Sequence, residues 1–71
     1  MNKESAAQFK GHMELAMREL SSALFLTQKV STPEEFVKVR KSIGDIIAAM
    51  DALLHDCIYS DHPEINELRN G

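Results

Sequence analysis

The sequence predicts an all-α fold: an antiparallel two-helix hairpin plus a short C-terminal helix, dimerising into a four-helix bundle. Three observations point there. Apolar residues recur at alternating steps of three and four along two long segments, the period of an amphipathic helix rather than a strand. The two prolines, Pro33 and Pro63, both stand where a helix should begin. The break between the long segments is so short that the second must run back along the first.

The first helix is expected over about residues 3–30. It starts after Asn2 or at a Ser5 to Gln8 capping box. Its predicted seam is Phe9, Met13, Ala16, Leu20, Ala23, Thr27 and Val30. The second helix is expected over about 33–59. Thr32-Pro33-Glu34-Glu35 carries a capping hydroxyl, a proline at the first helical position and a glutamate able to reach back to the cap. The predicted seam there is Phe36, Val39, Ile43, Ile46, Met50, Leu53 and Cys57. Two matched seams of this kind read as coiled-coil-like packing. Asp61-His62-Pro63-Glu64 is a weaker start signal, for a short helix over about 63–69. Ile65 and Leu68 of that helix are expected to fold back near Phe9.

Size makes the pairing expectation physical. The 71 residues form one domain, 1–71, and a core that small is marginal without disulfides, a metal, close helix packing or oligomerisation. An intrachain disulfide is excluded because Cys57 is the single cysteine. Each helix also carries more apolar residues than one seam uses. Met17, Leu24, Phe25, Leu26, Val37, Ile47, Leu54 and Ile58 are therefore the expected interface with a second copy or another protein. Gly11 and Gly44 each cost about 1 kcal/mol in a helix interior, and the Gly44, Ala48, Ala52 row reads as a tight helix-packing face, inside the hairpin or across the dimer.

Charge and composition limit the function classes. The net charge of −3 speaks against a general affinity for nucleic acid, and few aromatics are present for stacking on bases. No apolar run is long enough to span a bilayer, and the N-terminus lacks the pattern of a secretory signal, so no membrane association and a cytoplasmic location are expected. A lone thiol fits a reducing compartment.

Three constellations are candidates for chemistry. His12, Asp51 and His55 are expected at one level of the hairpin, and imidazole with carboxylate is a usual ligand set for a divalent metal. Their spacing lacks the density of known metal motifs, and a solvated Asp–His pair is the simpler reading. Cys57 lies on the predicted seam and reads as a small core residue, since its place near a helix C-terminus opposes thiolate formation. Lys38, Arg40 and Lys41 form the one basic cluster, a candidate contact for phosphate. Nearby carboxylates offset it, with Glu34 placed to pair Lys38 and Asp45 to meet Arg18 across the hairpin. No set of residues assembles into a nucleophile with a base or into an acid–base pair. The expectation is therefore a small intracellular interaction or regulatory protein, a homodimeric helical bundle without catalysis and without a cofactor. A nucleic-acid regulator using Lys38, Arg40 and Lys41 is the alternative, and a metal-binding protein using His12, Asp51 and His55 a further one.

Overall fold

A computed structural model describes residues 1–66. It is all-α, with no strand among the described residues. Helix α1 spans Lys3–Val30 and α2 spans Pro33–Leu54, joined by Ser31 and Thr32. The chain continues from α2 without a break into a π-helical turn, His55–Tyr59, and then into a 3-10 turn, Pro63–Ile65.

The caps explain where the long helices start. Asn2 Oδ1 accepts from the Ser5 backbone N–H at 2.8 Å, so Asn2 rather than Ser5 caps α1. At α2 the capping box is complete. Thr32 Oγ1 accepts from the Glu35 N–H at 3.2 Å, and Glu35 Oε1 accepts from the Thr32 N–H at 2.9 Å. The Thr32 backbone N–H, and after it the Thr32 hydroxyl, hold the Glu35 carboxyl below its usual range. The end of α1 is closed by Ser31, whose N–H and hydroxyl both reach the Thr27 carbonyl. The third start signal is not used as expected. His62 occupies the cap position of the 3-10 turn and no side chain caps it. Of the short helix expected over 63–69, Leu68 lies outside the described residues.

The best-packed region joins the start of α1 to the end of α2. Ala6, Leu54 and Ile58 are buried together, with Phe9, Met13, Met17, Tyr59 and Ile65 packed against them. Ile65 thus folds back onto the Phe9 end as expected. His62 ties the same end to the N-terminus, its Nε2 lying 2.9 Å from the Met1 carbonyl oxygen.

The covered stripes are shifted from the predicted seams. On α1 they run Met13, Met17, Leu20, Leu24, Thr27. On α2 they run Phe36, Val39, Ile43, Ile47, Met50, Leu54, with Ile58 following in the π turn. Hence Met17, Leu24 and Ile47, expected on an outer interface, are half-buried within the chain, and Leu54 and Ile58 are fully interior. Cys57, expected in the core, is exposed, because Ile58 takes the interior position. On α1 both stripes keep a seven-residue repeat, so the shift there is a fixed rotation of the helix about its axis. On α2 helix drift contributes. A straight helix turns about 20° per heptad away from a strict seven-residue repeat. By Ile47 the α2 contact has moved one residue along, and the π turn carries the displacement to Ile58. Ala16, Ala23 and Val30 on α1, and Ile46 and Leu53 on α2, are left exposed.

Nor do the glycines pack tightly inside the chain. A methyl group added at Gly11 or at Gly44 meets no atom within 4 Å.

Candidate functional site

The side chains with the most chemistry converge at the end of the molecule where α1 begins and α2 ends. Asp51, His55 and Tyr59 follow one another four residues apart, a row along one side of α2 and its π continuation. Lys10 and Glu14 form a similar pair on α1. Lys10 holds a covered position of the stripe, three residues before Met13, and its side chain is only 9% exposed. Its stem lies among apolar neighbours while the ammonium reaches Glu14 at 3.6 Å. Together these five residues, with Met17, Leu54 and Asn66, line an open groove of about 260 Å³.

Within the groove Asp51 Oδ2 stands 3.9 Å from His55 Nε2, with both side chains more than half exposed. The His55 ring meets Tyr59 edge to face, centroids 5.3 Å apart and planes at 87°. An exposed carboxylate–imidazole pair is screened by water and contributes little on its own. The groove is smaller than the roughly 300–1,000 Å³ usual for small-molecule sites and is not enclosed.

The predicted metal set is not assembled. Asp51 and His55 pair as expected, but His12 does not join them. Among the described residues no three His, Cys, Asp or Glu side chains are placed to hold an ion. His12 precedes Met13 along the chain, which turns it about 100° away from the contact stripe, on the other side from Glu14. Sequence reasoning placed its level along the helix without fixing that rotation. Lys10, Glu14 and Tyr59 were missed as partners of Asp51 and His55. The usable signal was their spacing, Lys10 with Glu14 and Asp51 with His55 and Tyr59, each four apart.

Only part of the basic cluster shares a face of α2, Lys38 with Lys41 three residues on. Lys38 and Arg40 are two residues apart in a helix, so they point about 160° away from each other. Arg40 lies over the Phe36 ring at 5.9 Å. The expected ion pairs of Glu34 with Lys38 and of Arg18 with Asp45 are not formed.

The expected outer surface survives in part. Phe25, Leu26 and Val37 are 61%, 60% and 53% exposed. Phe25 carries the Lys29 ammonium over its ring at 4.7 Å. No helix among the described residues is long and apolar enough to cross a membrane. No family model matches the chain, and no curated protein or solved structure matches it.

Proposed function

We propose that this chain is a non-catalytic interaction or regulatory protein of the cytoplasm, and that it acts as an antiparallel helical hairpin paired with a second copy in a four-helix bundle. The observation that carries the reading is the mismatch between its surface and its interior. Among the described residues only Ala6, Ile43, Leu54 and Ile58 are buried apolar residues, while seven large apolar side chains of α1 and α2 are more than a third exposed. The accessible surface is 5307 Å². A compact monomer of 8.0 kDa would expose about 4,450 Å².

The absence of catalysis rests on the groove. Its acid–base groups are paired on an open surface, Asp51 with His55 and Lys10 with Glu14, which favours a binding surface over an enclosed reaction site. Nucleic-acid binding is disfavoured by the divergence of Lys38 and Arg40 around α2.

A folded unit that exists only as a pair unfolds at a temperature that depends on concentration. Thermal unfolding followed by circular dichroism over a hundredfold range of concentration is expected to show a rising Tm. A Tm independent of concentration contradicts the pairing.

A further inference from the structure

The two helices leave unequal sides, and one of them matches what a second copy requires. The contact stripe of α1 includes Met17, Leu24 and Ser31, and that of α2 includes Ile47, Leu54 and Ile58. The residue just before each of these is Ala16, Ala23, Val30, Ile46, Leu53 and Cys57. All six are apolar or weakly polar and all six are exposed. One residue back is a rotation of about 100° on a helix. The same rotation on two helices running in opposite directions ends on the same side of the pair. The groove fixes which side that is. Glu14, Asp51 and His55 each follow a stripe residue, and they line a common groove. The six apolar positions therefore lie on the face opposite the groove, with His12, Glu19, Lys38 and Ser42, which also precede stripe residues, as its polar border.

We infer that this face, built on Ala16, Ala23 and Val30 of α1 with Ile46 and Leu53 of α2, is the docking surface for a second copy of the chain. The inference rests on the pairing proposed above and assigns its location. The occupant follows from three observations. The described chain is one helix layer thick, 45 × 23 × 16 Å, and its broad face offers on the order of 1,000 Å², enough for the ~800 Å² a stable partner buries. Domains are completed by a second layer packed on the first, and the layer that matches this one in length and width is another copy. The direction of the apolar seam agrees. The three-and-four repeat of Phe9 to Val30 and of Phe36 to Cys57 is centred between the contact stripe and this face. A seam at that diagonal points to the common axis of four helices rather than straight across to one neighbour.

The opposite side offers a contrasting control. It carries Glu14, Arg18, Arg40 and Asp51, with Phe25 and Val37 as exposed apolar residues among them near the turn. The test is the molar mass of wild type, Ile46→Asp and Val37→Asp by sedimentation equilibrium, with circular dichroism to follow helix content. Ile46 is 47% exposed within one chain, so the aspartate is tolerated by a lone hairpin but not in a covered face. Self-association of Ile46→Asp should weaken by at least ~100-fold, and Val37→Asp should remain a dimer. Ala23→Glu, at an exposed position of good helix propensity, should behave as Ile46→Asp does and guards against a folding defect at Ile46. A dimeric wild type whose association resists both Ile46→Asp and Ala23→Glu, or is lost in Val37→Asp, overturns the face and leaves the pairing standing. A monomeric wild type overturns both.

Discussion

Single residues carry this small fold at its two ends. Ile58 is fully buried and Leu54 nearly so, in a molecule with few interior side chains. Ile58→Ala should destabilise by about 2–5 kcal/mol in chemical denaturation, the range for emptying a packed aliphatic site. At the other end, Thr32→Ala removes the acceptor of the Glu35 N–H and should cost about 1 kcal/mol. Glu35 adds a dependence on pH. Its carboxyl is held below the ordinary value of 4.5 by bonds from Thr32, so its folded value lies under its unfolded one. Such a group contributes stability that is fully present above the unfolded value and is lost as pH falls through the folded one. Wild type should therefore exceed Glu35→Gln in Tm at neutral pH, and the difference should shrink as acid is added below about pH 4.5. A constant difference across that window would assign the effect to something other than the charged cap.

The helices as units test the surface they present. Added methyl groups at Gly11 and Gly44 meet open space in the chain, and both glycines sit inside helices. Gly44→Ala should raise stability by about 1 kcal/mol through helix propensity alone. It lies on the groove side, away from the proposed docking face, so dimer mass should not change. A loss of stability would mean that a helix backbone packs against Gly44. The elements themselves were largely legible in the sequence. Thr32, Pro33 and Glu35 marked the start of α2 because capping is local chemistry, and the break at Ser31 and Thr32 was equally local. The register was harder. Ile46 beside Ile47, Leu53 beside Leu54 and Cys57 beside Ile58 give two adjacent stripes of similar hydrophobicity. Choosing between them needs the rotation of each helix about its own axis, which a pattern of spacings does not contain. The same missing rotation separated His12 from Asp51 and His55, and it left Lys10 unnoticed in a covered position. The π turn at His55–Tyr59 carries no local signal of proline or glycine, so nothing in the spelling announced it.

At the scale of the whole molecule the account turns on shape. The radius of gyration is 14.7 Å, against about 11 Å for a compact domain of this length. The proposed pairing, face to face, would enclose the stripe that one chain leaves open and keep the Lys10, Glu14, Asp51, His55 and Tyr59 groove on each outer side. Sedimentation equilibrium of the wild-type chain at micromolar concentration reads the central claim most directly. The account predicts a mass twice the 8.0 kDa of one chain. A single species at 8.0 kDa that keeps its helical content and unfolds cooperatively would contradict it.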